Sequence, residues 1–260
     1  LYPHAALSPD GNTVVAPVVG TQGWDLWAFD LAGGAPRRLT FENASILDSP
    51  AWSTNGSDLF FSMWRGPGDF GIYRVPAYGS RPPELVVRGT MLADFTSDGG
   101  TMIYGEPAEG FEVNLWMREL DGDETGTPLL TDVGYEVQPA LSPDDRFLAY
   151  SHQDRILVRS FPDMGGPWQI GPGWSPRWSP DGTRLYYLNG DALMEVEVST
   201  GGQFRFASPA PLFNFEMAPA LLVGWPLFDV TPDGERFIMV RTVERPPGMV
   251  LVQNWPGAVE

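Results

Sequence analysis

Asp121, Asp123, Thr125, Gly126 and Asp132, in the run DGDETGTPLLTD, stand at the offsets of a calcium-binding loop. Such a loop needs a bidentate Glu at its last position and a helix on either side. Here the last position is Asp and the run reads as a turn between strands, so no metal is assigned. Histidine offers no alternative, because the chain has two, His4 and His152, with no nucleophile beside either in sequence. There is no cysteine, which closes disulfides, thiolate metal sites and thiol nucleophiles. All 16 positive side chains are arginine, so Schiff-base and other catalytic-lysine chemistry is closed too. Neither G-x-S-x-G nor H-E-x-x-H occurs. Paired carboxylates could hydrolyse a glycosidic bond, and the chain has many acidic loops, but no one pair stands out. No catalytic residue, cofactor site or metal ligand is assigned, and the expectation is that the protein is not an enzyme.

The formal charge of −17 weighs against nucleic acid and anionic membranes, which both call for basic patches. No run reaches the roughly 18 apolar residues that span a bilayer. No signal peptide is visible at Leu1, which fits a cytoplasmic protein or a trimmed one. A chain without cysteine is compatible with an oxidising compartment, and an extracytoplasmic, periplasmic location is the expectation carried forward.

The elements that would hold any site are set by a repeated phrase. Its six copies begin at Leu7-Ser8-Pro9-Asp10-Gly11, Trp52-Ser53-Thr54-Asn55-Gly56 and Phe95-Thr96-Ser97-Asp98-Gly99. They continue at Leu141-Ser142-Pro143-Asp144-Asp145, Trp178-Ser179-Pro180-Asp181-Gly182 and Val230-Thr231-Pro232-Asp233-Gly234. Successive Ser/Thr positions lie 45, 43, 46, 37 and 52 residues apart, a period typical of four-stranded propeller blades. Proline presets φ, Asp bonds back to the local backbone, and Gly supplies the left-handed residue that closes a hairpin. Asp145 stands in place of Gly in the fourth copy, and Asp enters the left-handed region more readily than most residues. Extended runs such as RLYYL and RFIMVRT follow each turn. A second hairpin (DLWAFDLAGG, NLWMRELDGD, ALMEVEVSTGG) and a short last strand (PRRLTF, TPLLTD) complete each copy. The expected fold is all-β, a single domain over 1–260: a six-bladed β-propeller of four-stranded antiparallel blades. In the last copy, strands near 227–231, 236–243 and 249–255 leave no fourth, so that blade is expected to be incomplete.

The phrase, the blade layout and the ending FDVTPDGERFIMVRTVERPPGMVLVQNWPG resemble the TolB-like β-propellers. Further matches are DLWAFDLAGGAPRRLTF, ILVRSFPDMGGPWQI and PRWSPDGTRLYYLNGDALMEVEV, and the resemblance runs through essentially all 260 residues. It is similar in particular to the propellers found C-terminal to bacterial Ser/Thr protein kinases or standing alone. That implies a ring-shaped interaction or sensing domain, and the family shares no one activity. Some TolB-like propellers look like pectate-fragment lyases with histidine-rich metal sites, which two histidines cannot build.

Three sets of residues remain as sites. Loops joining second to third strands, and fourth strands to the next blade, share one face of a propeller. That face is expected to carry Trp24, Asp25, Trp64, Asp69, Phe70, Glu109, Phe111, Tyr135, Glu136, Trp174, Phe215 and Trp225. Large aromatics among acids offer rigid contact area to a protein partner; folded down, they would close the blade tops instead. LFNFEMAPALLVGWPLF, before the last copy, is long and apolar, and Leu221, Leu222 and Trp225 either cap a blade or dock on a partner. Two residues before each Ser/Thr, on the innermost strand, stand Ala6, Ala51, Asp94, Ala140, Arg177 and Asp229. A buried charge left unpaired is costly, so Arg177 is expected to pair with Asp94 or Asp229, with a small ligand or cation between the acids as the other outcome. The functional reading is a non-catalytic protein-binding or scaffold module, an accessory or sensing component of a larger bacterial assembly. Two alternatives stand beside it: a carbohydrate-active enzyme using acidic groups at the funnel, and a small-ligand sensor detached from a kinase.

Overall fold

A computed structural model describes residues 5–89, 91–108, 112–122, 125–131, 136–214, 228–241 and 248–252, those at 91–93, 136–137, 240–241 and 248–252 by their backbone alone. Every regular element among them is a strand. The repeated phrase works as a hydrogen-bonded staple. In the fifth copy the Ser179 hydroxyl accepts from Arg184 N at 2.9 Å and donates to Asp181 at 2.6 Å. Gly182 N donates to the Ser179 carbonyl at 2.9 Å, closing the turn. Ser8, Ser142 and Thr231 are likewise buried and make the same bond to the residue five positions on. The hydroxyl is therefore required at that position, because it satisfies a backbone N–H that the tight turn would otherwise strand.

Each staple joins the first two strands of an antiparallel sheet. The first sheet is β1 (Ala6–Leu7), β2 (Thr13–Val19), β3 (Trp24–Asp30) and β4 (Arg37–Arg38); the second is β5 (Ile46–Trp52), β6 (Asp58–Gly66), β7 (Asp69–Pro76) and β8 (Glu84–Arg88). The third is β9 (Met91–Phe95), β10 (Thr101–Pro107), β11 (Val113–Glu119) and β12 (Thr127–Leu130). The fourth is β13 (Glu136–Leu141), β14 (Phe147–His152), β15 (Arg155–Ser160) and β16 (Trp168–Pro172). The fifth has β17 (Trp174–Trp178), β18 (Arg184–Asn189) and β19 (Ala192–Ser199), then a fourth strand in two pieces. These pieces, β20 (Arg205–Phe206) and β21 (Ala210–Asn214), pair with opposite ends of β19.

The protein is thus an all-β propeller of four-stranded antiparallel blades. The expected count of six is corrected to five complete blades among the described residues. The sixth copy forms a sheet of three strands, β22 (Phe228–Val230), β23 (Phe237–Arg241) and β24 (Gly248–Val252), in that order.

The chain divides into two compact units: residues 1–92 with 227–241 and 248–260, and residues 93–226 with 242–247. Within each, neighbouring sheets are joined by the same two devices in the same order. In the first unit, Asp229 of β22 accepts from Leu7 N of β1 at 3.0 Å, and Trp52 Nε1 of β5 donates to the Ala6 carbonyl at 3.1 Å. In the second, Asp94 of β9 accepts from Leu141 N of β13 at 2.7 Å, and Trp178 Nε1 of β17 donates to the Ala140 carbonyl at 2.9 Å. The sequence carries this as a period of three copies, Ala-Leu, Ala/Arg-Trp and Asp-Phe/Val, nested within the period of one.

Successive turns also meet. Pro9 lies against Gly56 and Pro143 against Gly182, where a Cβ on the glycine would sit 3.7 and 3.6 Å from the ring. Between the third and fourth copies both partners have changed. Ser97 replaces the proline, and its N and Oγ donate to Asp145, which replaces the glycine, at 2.9 and 2.7 Å.

Candidate interaction surface

In the first unit, three connections meet at one end of the sheets. The β2–β3 hairpin reaches the segment after β4 through the paired bridge Trp24–Ala44, and Ser45 N donates to the Trp64 carbonyl of β6 at 2.9 Å. Gly23 permits the approach, for a Cβ there would fall 2.3 Å from the Asn43 carbonyl oxygen. Asp25, buried, organises the segment. It takes Arg38 at 2.5 Å, the Thr40 hydroxyl at 2.9 Å and Glu42 N at 2.8 Å. Charge-assisted bonds of this kind, shielded from water, are among the stronger polar contacts.

This bracing leaves aromatic area facing out. Phe41 is 67% exposed under the Arg38 guanidinium, 4.7 Å from its ring centre, and Trp64 is 38% exposed with its indole N–H held by the Gly66 carbonyl at 2.6 Å. Val19, at the end of β2, is exposed as well. Arg65 ties the two loops together, reaching Glu42 at 2.7 Å and Asp69 at 2.7 Å while lying over the Tyr73 ring. Asp69, followed by Glu42, holds the guanidinium well above its usual range, against some burial. The Tyr73 hydroxyl and Arg65 in turn hold the Asp69 carboxyl below the carboxylate range. One charge shared by two acids thus ties the loop tips together.

The expected loop aromatics are divided by this geometry. Trp64 is exposed, with Phe70 opposite it across the β6–β7 hairpin and half-buried. Trp24, at 8% exposure, belongs to a core of Leu26, Leu47, Phe61 and Met63 and closes the blade top. Trp174 begins β17 in the second unit and is half-buried. Phe111, Tyr135, Leu221, Leu222 and Trp225, with Glu109 and Phe215, lie outside the described residues, and Glu136 is described by its backbone only. Phe41 was missed because PRRLTF reads as one strand. The strand ends at Arg38, so Phe41 belongs to the connection. That Arg65 follows Trp64 directly was the available signal for the clamp.

Of the two pairings expected for Arg177, the direct one with Asp94 is not made; Arg177 Nη1 instead donates to its neighbour, the Pro176 carbonyl, at 2.9 Å. Asp94 is satisfied by two backbone N–H groups, Leu141 at 2.7 Å and Phe95 at 2.8 Å. Burial pushes its carboxyl up to about 6, opposed by those N–H groups and by the more distant charge of Arg177. Asp229 repeats the arrangement with Leu7 N and Val230 N. Both acids therefore join neighbouring sheets. Among the described residues no group of three His, Asp or Glu is gathered that could hold a metal ion.

The sheets are the blades of a propeller, a class of fold that presents its loops on a rigid scaffold. Residues 3–158, more than half of the sequence, match the TolB beta propeller domain, and the chain belongs to that family. It is 30% identical over 117 residues to the Tol-Pal system protein TolB of Anaeromyxobacter dehalogenans, a match spanning 45% of this chain and only 26% of that protein. Among solved structures it is similar to a TolB described as putative from Agrobacterium tumefaciens, with TM-score 0.68, 20% identity, and 90% of this chain and 87% of that one covered. TolB from Acinetobacter baumannii is similar at TM-score 0.62 and 21% identity, over 82% of this chain and 54% of that one. At these identities the two structures show the fold.

Proposed function

We propose that the chain is a non-catalytic protein-binding module, an accessory component of a larger bacterial assembly of the Tol-Pal kind, working in the periplasm. In this reading residues 1–260 form one propeller domain that includes the three-stranded sheet β22–β24. The observation that carries the proposal is the exposed pair Phe41 and Trp64 on loops fixed by Arg65, Glu42, Asp69 and Asp25. Side chains that only closed a blade would be buried, as Trp24 is. Aromatic residues held rigid at the surface lose little entropy when a partner covers them, which is why such residues dominate binding energy at interfaces. The name of the curated relative, a protein of the Tol-Pal system, agrees with an assembly of several proteins.

The test is the double variant Phe41→Ser, Trp64→Ser. Neither side chain is core, so the melting temperature should stay within about 2 °C of the parent's, as for surface changes worth under roughly 0.5 kcal/mol. A protein retained stoichiometrically by the parent from a periplasmic extract should be lost, with affinity down at least about 30-fold, as expected when two hot-spot aromatics go. Equal retention by parent and variant would remove this surface from the account.

A further inference from the structure

The junction between the first and second sheets and that between the fourth and fifth are built on one frame. In each, a Trp that precedes the staple donates to an Ala carbonyl of the neighbouring sheet. In the second unit the groove outside that Trp is packed with rings. Phe204 is buried, 6.2 Å edge-on from Trp178, 5.1 Å from Phe147 and 5.2 Å from Trp168. Phe204 gets there because the chain after β19 extends through residues 200–206 and folds back along it.

Registers identify the counterparts in the first unit. Phe147 and Thr13 each stand five residues after the staple Ser. Trp168 pairs with Val158 as Arg37 pairs with Ala28, and Val198 N donates to Thr183 O as Ala77 N does to Ser57 O. So Thr13 replaces Phe147, Arg37 replaces Trp168 and Ala77 replaces Val198. The turn after β7 brings no buried ring into the place of Phe204, its one aromatic side chain, Tyr78, being exposed. What remains is a cleft of about 410 Å³ with Trp52 in its wall and Thr13, Arg37, Asp10, Asn55 and Tyr78 around it.

We infer that this cleft receives an aromatic side chain from a partner polypeptide, seated where Phe204 sits in the other unit. The volume is within the roughly 300–1,000 Å³ of ligand sites. The Trp52 indole N–H is satisfied by Ala6, and the half-buried ring lines the cleft, where an incoming ring can make the edge or offset contact that Phe204 makes with Trp178. Arg37 already lies 5.5 Å from the centre of the Tyr78 ring, and Tyr78 is 81% exposed. The Arg37 guanidinium, which donates to the Ala77 carbonyl and has no carboxylate partner among the described residues, can stack on an incoming ring in the same way. Asp10 and Asn55 line the rim, where they can meet peptide N–H and carbonyl groups. The inference does not rest on the Phe41–Trp64 surface, and either can fail alone.

The test is a titration of the full-length protein, labelled for NMR, with the capped tripeptide Gly-Phe-Gly and with Gly-Ala-Gly. The Phe peptide should shift the Trp52 indole signal saturably and bind at least tenfold more tightly than the Ala peptide. Thr13→Phe and, separately, Arg37→Trp restore rings that the other unit has. Each should weaken binding at least tenfold with the melting temperature unchanged or raised, and Arg37→Trp alone decides if Thr13→Phe does not fold. Equal binding of the two peptides, no saturable shift, or binding that survives a folded cleft-filling variant would overturn the inference.

Discussion

Asp94 and Asp181 are the same side chain under opposite forces. The Asp94 carboxyl, pushed up to about 6 chiefly by burial, is harder to ionise in the folded protein than in the unfolded chain. Its contribution to stability is complete below about pH 4, the unfolded value, and is lost as the pH rises through 6. Asp181 is the reverse, drawn down to about 2 by the Ser179 hydroxyl, by Thr183 N and by the Thr183 hydroxyl. Its contribution is present above about pH 4 and is lost as the pH falls through 2. Denaturant titrations across pH should therefore show Asp94→Asn flattening the profile between about 4 and 6. Asp181→Asn should flatten it only below about 4, and interchanged windows would refute both assignments. Asp181 was legible from the sequence as a turn residue. The role of Asp94 was not, since its partner Leu141 N lies 47 positions away, and a charge two residues before the staple reads equally well as a channel ion.

At the scale of elements, the staple explains why the phrase tolerates some changes and not others. Serine or threonine holds the second position of every copy, because a hydroxyl there accepts from the backbone five residues on. Between copies three and four the proline and the glycine change together, and their contact shows why. Ser97 restores an N–H and Asp145 gives it a carboxylate, in place of ring against backbone. Ser97→Pro should cost about 1–2 kcal/mol by removing that donor and Asp145→Gly about 1 kcal/mol. The double variant should recover at least half of the summed loss, since it rebuilds the pairing of Pro143 with Gly182. Additive losses in chemical denaturation would deny the coupling. Strand positions were legible from the repeated phrase and from alternation. The end of β4 at Arg38 was not, because Asp25 gathers residues 38–43 into a connection by contacts that alternation does not encode.

At the scale of the molecule, a period of one copy was legible and the period of three was hidden within it. The longer period appears only when Asp229, Trp52, Asp94 and Trp178 are seen to bond to the neighbouring sheet. Within the frame it sets, one junction is filled by Phe204 and the other is open beside Trp52. The proposed partner surface was half legible. Trp64 stood out as an aromatic on a loop, while burial separates it from Trp24, and burial is a property of the packed sheets. The central claim is that Phe41 and Trp64 are covered by another protein. Its most direct measurement is site-specific photo-cross-linking in a bacterial periplasm, with the reactive side chain at position 41 or 64 and, as a control, at Leu31 on the β3–β4 turn, which is about as exposed as Trp64. The account predicts one discrete heavier adduct with another polypeptide from positions 41 and 64 and none from position 31. No adduct from 41 and 64, or the same adducts from all three, would contradict it.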